Sequence, residues 1–411
     1  MRRLALAVVL ALLSGVTHAA AQESRQQVLE QEKAAKAAAV VPYEPDKAEK
    51  IFNWAMDSFL LSPQGFLPLI TSIPKGDNVF HGGGIAWGAM YRGFLGDRAG
   101  WSASGLVSVP GYTHADVSID ALRLARGRLA LRGGAGWTSG ARIPFYGVGA
   151  GSSQENLTNF GVEMGYVGAQ LRATPLPWFV LEGSTAIEDF STKEGSGSKP
   201  SIETVFTFPD VPGLLSAPRY LHSSASAGID WRPVAGFAKR GRPVVGYARS
   251  GGLYQVTYHD YRDADETYSF SRVDAEAVQH IPILRENWVV SLRGLVQTTL
   301  DDADVVPHFL MPMLGSGDSL RAFGTARFHD RHSMLMQAEW RWIPNRSFMD
   351  MALFYDAGKV AADRNGLDFD GLEHDFGVGL RVHGPLTTPL RIDLAKGREG
   401  FRIVWAGSAV F

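Results

Sequence analysis

From Val79 onward, the chain alternates polar and apolar side chains in short segments, and this pattern limits the fold more than any other feature. Alternation with a period of two is the signature of a β-strand with one buried face. In "WSASGLVSV", Trp101 and Ala103 alternate with serines, and in "WVVSLRGLVQT" apolar residues alternate with Ser291 and Arg293. About fifteen such segments can be placed, near 79–93, 98–109, 112–123, 128–139, 157–173, 176–190, 219–232, 244–261, 266–281, 286–299, 334–343, 348–360, 374–383, 389–396 and 401–411.

No convincing amphipathic helix follows these segments or interrupts them, which disfavours a fold built from parallel βαβ units. A soluble sandwich and a transmembrane barrel both remain, since both alternate. The last five segments distinguish them: in "FMDMALFYDAG", Met349 and Met351 lie opposite Asp350 and Asp356. A face that carries charges cannot contact lipid, where an Arg or Lys at mid-depth costs ~2–4 kcal/mol. We therefore expect a polar, charged lumen and an apolar outer surface.

The predicted fold is all-β, a transmembrane antiparallel β-barrel with an inward-folded loop. Bacterial single-chain barrels have an even number of strands, so we expect sixteen. The missing strand is expected in 200–218 or in the segment from Asp301 to His332. Tryptophans near many strand ends favour a membrane girdle, although core tryptophans of a soluble protein could have the same spacing.

The N-terminus predicts export. Met1–Arg3 is basic, Leu4 to Leu13 is apolar, and Ala19 to Ala21 is a small-residue cleavage pattern, so residues 1–21 are interpreted as a signal peptide. The alternative is a membrane anchor, but the apolar run is well short of the ~20 residues that a spanning helix needs. We expect residues 22–78 to form a short periplasmic leader, partly helical or disordered, and residues 79–411 to form the barrel.

Composition and motifs argue against several other functions. The net charge is -2, which gives no support for a nucleic-acid partner, and the chain contains no cysteine. The histidines are scattered without a metal-binding spacing, and no nucleophile motif is present. We expect no catalytic residues, no metal, no cofactor and no enzymatic activity, although residues on distant strands could still assemble a lipase-like site.

Three motifs near the C-terminus carry a family resemblance. "LGSGDSLRAFGTARF" resembles the loop signature, and "FYDAGKV" the Phe-x-Asp-x-Gly strand motif, of the bacterial surface antigen superfamily of outer-membrane assembly and translocation barrels. "AEWRW" places Glu339 where these proteins have an acidic residue, and the closing segments run to Phe411. The close match covers 313–411, with weaker likeness back to Val79.

The resemblance implies a set of contacts inside the barrel. The loop would fold inward, carrying Arg321 and Phe323, and Arg321 would pair with Asp356, with Glu339 as a second acidic neighbour and Gly358 completing the strand motif. Arginine suits this role because its guanidinium stays charged and can bind a carboxylate with two hydrogen bonds. The alternative is an exposed loop arginine. The sequence also departs from the family motif, because an alanine follows Arg321 where the family has glycine.

The family also has a weakly paired seam between its first and last strands that can open toward lipid. Carried over, Gly82, Gly83 and Gly84 would flank the seam on one side, and Trp405 and Phe411 on the other, with Phe411 as a C-terminal assembly signal. The glycines could equally fill a crowded part of the barrel, and Phe411 could be an interfacial anchor.

The resemblance implies an assembly or translocation factor of the bacterial outer membrane. Its partners would be outer-membrane lipids, and either a separate periplasmic protein or an unfolded outer-membrane protein substrate. Assembly members carry periplasmic polypeptide-transport-associated domains of about 75 residues each in the family, and residues 22–78 do not resemble one, so the chain is interpreted as a short branch. The alternative is a loop-plugged channel or structural barrel. Sequence does not separate these functions, nor does it give the cargo or the oligomeric state.

Overall fold

A computed structural model describes residues 64–74, 79–96, 99–208, 210–233, 236–237, 243–244, 247–283, 287–301, 305–344, 349–382, 388, 390–407 and 410–411. The predicted signal peptide and nearly all of the predicted leader lie outside these residues. The described residues belong to one compact unit, Phe59–Phe411.

Sixteen strands form one antiparallel sheet in which each strand pairs with the next strand of the sheet along the chain. They are β1 (Gly65–Ser72), β2 (Ile85–Leu95), β3 (Ala99–Ser108), β4 (Thr113–Arg123), β5 (Leu129–Phe145), β6 (Thr158–Leu176), β7 (Phe179–Glu194), β8 (Arg219–Asp230), β11 (Gly251–Asp263), β12 (Phe270–Ile283), β13 (Trp288–Thr299), β16 (His332–Trp342), β17 (Met349–Ala361), β18 (Glu373–Val382), β19 (Leu390–Gly397) and β20 (Gly400–Ala406). Two short pairs lie outside the sheet: β9 (Gly236–Phe237) with β10 (Pro243–Val244), and β14 (Met313–Leu314) with β15 (Phe328–His329). The all-β class and the number of sixteen strands are confirmed.

The position of the sixteenth strand differs from the expectation. It is neither in 200–218 nor between Asp301 and His332, but is β1, which pairs along its whole length with β2. The sheet therefore begins at Gly65, within the segment predicted as leader. Two properties hid this strand: "GFLPLITS" does not alternate, and it contains Pro68, which cannot donate to a ladder. A proline is tolerated here because β1 is the first strand of the sheet and has one unpaired edge.

The two faces of the sheet differ in chemistry. Along β17, Met349, Met351 and Leu353 are exposed on the outer face, and Asp350 and Asp356 are fully buried on the inner face. The same alternation places arginines, aspartates and glutamates of β16, β18 and β19 inside. Apolar residues that face outward on nearly every strand make a belt suited to lipid, as the alternation predicted.

The longer connections 146–157, 195–218, 300–331 and 362–372 lie at one end of the sheet, and the other end has short turns such as 177–178 together with one longer connection, between β8 and β11, that contains β9 and β10. Three-residue 3-10 helices occur in these longer connections, at Gln154–Asn156, Ile202–Thr204, His308–Leu310 and Arg364–Gly366. A four-residue segment, Leu124–Gly127, is a turn rather than a helix because Ala125 and Arg126 have positive φ. Outer-membrane barrels have long extracellular loops and short periplasmic turns, so we assign the end with the long connections to the cell exterior.

An apolar cluster, called here the dome cluster, packs at this outer end. Its residues come from four connections and the adjacent strand ends: Ile73, Val79, Phe80, Ala86, Leu106, Tyr112, Ile143, Phe145, Phe160, Val162, Met164, Phe190, Ile202, Val211, Tyr220, Tyr261, Phe270, Val306, Phe309, Leu310 and Met311. Tyr112 is fixed within it by donating a hydrogen bond to the carbonyl of His81 at 2.6 Å. The inside of the sheet is therefore apolar at the outer end and charged further along the C-terminal strands.

The first and last strands each have a single partner. β1 pairs with β2 and β20 with β19, and the described residues form no backbone ladder between β1 and β20. Within the described part of the chain, there is also no helix with the length and apolarity needed to cross a bilayer.

Candidate functional site

The connection between β13 and β16 returns into the sheet and forms the centre of the candidate site. Its arms pair as β14 and β15, and the backbone amide of Ala326 donates to the carbonyl of Gly315 at 2.7 Å to close the turn. Gly315 has a φ of +100°, and a Cβ there would lie 2.4 Å from the carbonyl of Gly324. Only glycine fits this position. The tip, residues 315–327, is called the inner loop below.

Arg321 of the inner loop is fully buried against three carboxylates from three strands. Its Nε and Nη2 donate to the two oxygens of Asp356 at 2.7 and 2.8 Å. Its Nη1 donates to Glu339 at 2.8 Å and to Asp393 at 3.2 Å. Both acidic neighbours expected from the sequence are in contact with Arg321, and Asp393 is an additional one.

A ring also covers the guanidinium. The Cζ of Arg321 lies 3.5 Å from the centre of the Phe354 ring, which is a cation–π contact. Burial opposes the charged form, but hydrogen bonding to Asp356 and the charges of Asp356, Glu339 and Asp393 outweigh it and raise the pKa of Arg321 above its ordinary value. The guanidinium therefore stays charged, and these ion pairs lie inside the sheet.

The ion pairs extend along the inner face of the C-terminal strands. Glu339 accepts hydrogen bonds from Arg341 at 2.7 Å and from Arg381 at 2.6 Å, in addition to Arg321. Asp393 lies 3.3 Å from both Arg381 and Arg391. All of these side chains are at most 1% exposed. Removing one member leaves the others buried without compensation, which is why such networks are sensitive to single substitutions.

Three further arginines attach the inner loop to the last hairpin, β19–β20. Arg391 donates to the carbonyl of Gly317 at 2.6 Å, and Arg402 donates to the carbonyl of Phe323. Arg327 donates to Glu399, in the turn between β19 and β20, at 2.8 Å.

The other side of Arg327 contacts the connection between β5 and β6. Its two Nη atoms donate to the hydroxyl and carbonyl of Ser152, at 2.8 and 2.7 Å. Ser152 and Glu399 belong to segments far apart in the sheet order. Because one guanidinium bonds to both, the sheet must curve around the inner loop.

The remaining residues of the predicted loop contact pack closely. Phe323 is fully buried against Phe328, with ring centres 5.3 Å apart. Gly358 allows β14 to approach, because a Cβ there would lie 3.1 Å from the side chain of Leu314, and it would also lie 2.6 Å from the carbonyl of Met334 on the adjacent strand β16. Ala322, which departs from the family motif, does not have a positive φ, so alanine is not strained there.

The residues predicted to flank the seam are not brought together. Gly82, Gly83 and Gly84 lie in the connection between β1 and β2, at the outer end, rather than in the first strand. Gly82 and Gly84 have φ of +80° and +62°, so their role there is to form a turn. The reason is the earlier start of the sheet at β1.

Trp405 and Phe411 lie on different sides of the sheet. Trp405 belongs to β20 and is 63% exposed on the outer face. The ring of Phe411 lies 5.2 Å from the guanidinium of Arg341 and 6.2 Å from the ring of His280, both buried inward-facing residues. An anchor at the membrane interface therefore describes Trp405 and not Phe411.

Sequence reasoning missed the second attachment of the inner loop. Arg327, Arg402 and Glu399 were not singled out, because no spacing in the sequence relates a loop to a turn some 70 residues later. Asp375 and Asp393 alternate with apolar residues along β18 and β19, which is consistent with their inward position, but their partners depend on strand register. In the described part of the chain, no three His, Asp or Glu side chains are arranged to hold a metal ion.

Comparisons with known proteins address the barrel as a whole. Residues 249–400 match the Omp85 superfamily domain, a range that includes the inner loop and strands β16 to β19. The crystal structure of BamA from Haemophilus ducreyi lacking POTRA domains 1–3 is similar, with a TM-score of 0.59, 14% identity, and coverage of 84% of this chain and 69% of that chain. CdiB from Escherichia coli is also similar, with a TM-score of 0.51, 10% identity, and coverage of 84% of this chain and 62% of that chain.

At sequence identities this low, the structural similarity shows a shared fold and nothing more. The chain spans less than two thirds of the length of the CdiB structure, and comparison with curated protein sequences gives no match. The resemblance to outer-membrane assembly and translocation barrels, expected from the loop and strand motifs, is confirmed by the domain match over residues 249–400.

Proposed function

We propose that this chain, which carries an Omp85 superfamily domain over residues 249–400, is an assembly or translocation factor whose inner loop holds the last hairpin in place. It lies in the bacterial outer membrane, where the apolar belt of its outer face contacts lipid. The observation that carries the proposal is the buried Arg321, bonded to Asp356, Glu339 and Asp393 on three strands.

The loop acts in this proposal as a lock on the edge of the sheet. Arg391, Arg402 and Arg327 join the inner loop to β19, β20 and the turn between them. β20 has one neighbour, so its position depends on β19 and on these contacts with the loop. Release of the loop frees the last hairpin to move, so that the edge of β20 can admit a substrate strand or disturb the adjacent bilayer.

The partners follow from this action. An unfolded outer-membrane protein would offer a strand to the open edge of β1 or β20, since an unpaired strand edge is a template for another chain. A separate periplasmic protein would deliver it, and outer-membrane lipids would surround the site. No step in this action makes or breaks a covalent bond, so the proposal assigns no catalytic residue and no cofactor.

A channel is the second candidate, and one feature favours it. On the inner face of β3 to β8, Ser102, Ser104, Ser184 and Ser224 are only half-buried, so the lumen there has room for water. The inner loop packs against the C-terminal strands, so it would narrow such a lumen from one side.

Two measurements separate these functions. Under the assembly proposal, outer membranes from cells without the gene lose particular proteins or change their lipid composition. Arg321→Asp gives the same defect, and Arg321→Asp combined with Asp356→Arg partly restores function, since Glu339 and Asp393 still face the altered loop. Under the channel proposal, the membranes stay unchanged, and deleting residues 316–328 raises the conductance of the barrel in planar bilayers.

A further inference from the structure

Two aspartates meet beneath the inner loop. Asp356 of β17 and Asp375 of β18 are register partners on adjacent strands, both on the inner face and both fully buried. Directly opposed side chains on neighbouring strands have Cβ atoms ~5 Å apart, and like charges in this position repel. The two carboxyl groups also bind consecutive residues of the inner loop, Arg321 and Ala322, so both face the same point of the loop.

The hydrogen-bond donors around the pair favour one aspartate. Asp356 accepts from Arg321 on both oxygens, and its Oδ1 also accepts from Gln337 at 3.1 Å. Asp375 accepts only the backbone amide of Ala322, on Oδ2 at 3.0 Å. Its Oδ1 is buried, and no donor of the described residues reaches it. A carboxylate oxygen in that position loses its hydration without replacement.

The nearby arginine side chains donate their hydrogen bonds to other groups. The remaining guanidinium nitrogen of Arg321 donates to Glu339 of β16 and Asp393 of β19. Arg402 of β20 is close enough to influence Asp375, but its donors bond to Phe323 and Thr325 of the inner loop. Among the described residues, no charged group of the loop or of the neighbouring strands donates a hydrogen bond to Asp375 Oδ1.

We propose that Asp356 and Asp375 form a proton-binding site, in which Asp375 carries one proton on Oδ1 and donates it to Asp356. Each carboxylate oxygen has two lone pairs, and Oδ2 of Asp356 accepts only from Arg321, so one lone pair is free for this bond. The proton comes from solvent and removes the repulsion between two opposed carboxylates. It also supplies the hydrogen bond that Asp375 otherwise lacks.

The site connects protonation to the loop. Asp375 holds the backbone of Ala322, and Asp356 holds the adjacent Arg321, so the two carboxyls bind consecutive residues of the inner loop. Loss of the proton at high pH places two ionised groups face to face at this point. The stabilisation of the docked loop is therefore present when the proton is bound and is lost as the pH rises.

The test is infrared spectroscopy of the full chain in detergent, since a protonated carboxylic acid has a C=O stretching band that a carboxylate lacks. The wild-type protein is expected to show this band at neutral pH, to shift it in D2O and to lose it at alkaline pH. Asp375→Asn removes the band while its amide donates to Asp356 and its carbonyl accepts from Ala322. The unfolding temperature of the wild-type protein is expected to fall as the pH rises, because the stabilisation by the bound proton is lost, and the Asp375→Asn variant is expected to lack this dependence.

Asp318→Asn is the matched control, because Asp318 lies on the same loop, pairs with Arg391 and is 37% exposed. It is expected to keep the band. If Asp375→Asn does not fold, Asp375→Glu retains an ionisable carboxyl and is expected to shift the frequency of the band. Wild-type protein without a protonated-carboxyl band at neutral pH, or a band unchanged in both Asp375 variants, overturns the proposal.

Discussion

At the residue scale, the molecule concentrates paired charges on the buried inner face of its C-terminal strands. Arg321 has no exposed atom, and four of its donor contacts go to carboxylates. Attraction in a buried site is offset by the cost of removing each ion from water, so the intact network is worth far less than its contacts suggest. A single missing member is costly, because its partners remain buried and charged.

Arg321→Ala is expected to lower the free energy of unfolding by ~3–5 kcal/mol, since three carboxylates lose their shared cation. Urea unfolding of the barrel in detergent or vesicles measures this. Arg331→Ala is the control on the same connection, because Arg331 pairs at 3.7 Å with an Asp363 that is 85% exposed. It should cost less than ~1 kcal/mol. Equal losses in the two variants would contradict a special role for Arg321.

Two histidines of the outer end predict acid sensitivity. Burial lowers the pKa of His308 to about 4, although a hydrogen bond to the carbonyl of Pro212 opposes this. Burial and the nearby His308 and His81 lower the pKa of His329 to about 3. Both rings are neutral when folded and take up protons more readily when unfolded, where the pKa is near 6.5.

Because the pKa of each histidine is lower in the folded state than in the unfolded state, their contribution to the free energy of unfolding is fully present above pH 6.5. It falls as the pH drops toward 4 and then 3. Thermal unfolding followed from neutral to acid pH is expected to show this decline. His308→Gln keeps a donor for Pro212 but does not titrate, so its decline should be shallower. A wild-type stability that rises on acidification, or an unchanged decline in His308→Gln, would refute the assignment.

At the element scale, the inner loop and the β19–β20 hairpin behave as one unit. The pair Arg327–Glu399 is buried, with side chains 2% and 11% exposed, whereas the neighbouring pair Arg398–Glu373 has an arginine that is 56% exposed. Both pairs have a separation of 2.8 Å. Burial rather than distance should therefore decide their strengths.

A double-mutant cycle on Arg327 and Glu399 is expected to give a coupling of ~1–3 kcal/mol, because the pair is buried and hydrogen-bonded. The same cycle on Arg398 and Glu373 should give ~0–1 kcal/mol. Equilibrium unfolding measures both. A larger coupling for the exposed pair would show that the loop does not stabilise the last hairpin through Arg327.

The close packing of β16 and β14 around Gly358 of β17 gives a second prediction at this scale. Gly358→Ala places a Cβ 2.6 Å from the carbonyl of Met334 and is expected to destabilise by ~1–3 kcal/mol, because the backbone must shift. Gly294→Ala on β13 is the control, since nothing lies within 4 Å of its Cβ. Thermal unfolding should show a larger loss of stability for Gly358→Ala than for Gly294→Ala, and a neutral Gly358→Ala would mean that Met334 and Leu314 are not packed closely against Gly358.

Alternation predicted the strands well because one face of each contacts lipid and the other a charged lumen, so the period is strict along segments such as 349–356. It failed for Gly65–Ser72, where a proline and an irregular pattern mark an edge strand. The position of Arg321 was expected from the resemblance, but its bond to Asp393 depends on the register of four strands. Arg327 and Arg402 bond across the inside of the sheet, and no local pattern encodes such contacts.

At the scale of the whole molecule, the sixteen-stranded sheet has an apolar outer face that suits lipid and an inner face that is largely polar. Val378, in the middle of β18, is 48% exposed on the outer face, and Phe401, at the outer end of β20, is 70% exposed. Exposure of large apolar side chains over a whole sheet is unfavourable in water and favourable in lipid.

Val378→Arg is expected to reduce folding stability in lipid vesicles by ~2–4 kcal/mol, because the charge lies near the middle of the bilayer. Phe401→Arg should cost only ~0–1 kcal/mol, because it lies near the interface. Reversible unfolding from vesicles measures both. Equal and small costs would mean that the outer face of β18 does not contact hydrocarbon.

The dome cluster has a consequence for the timing of biogenesis. It joins Ile73 and Phe80, near the start of the sheet, to Phe309 and Leu310, over two hundred residues later. Contacts of such sequence separation form late, because closing a long stretch of chain costs entropy before any burial compensates for it. We therefore expect the dome cluster to form last during folding. Before it forms, its apolar residues are exposed, and a chaperone that binds unfolded chains must prevent their aggregation.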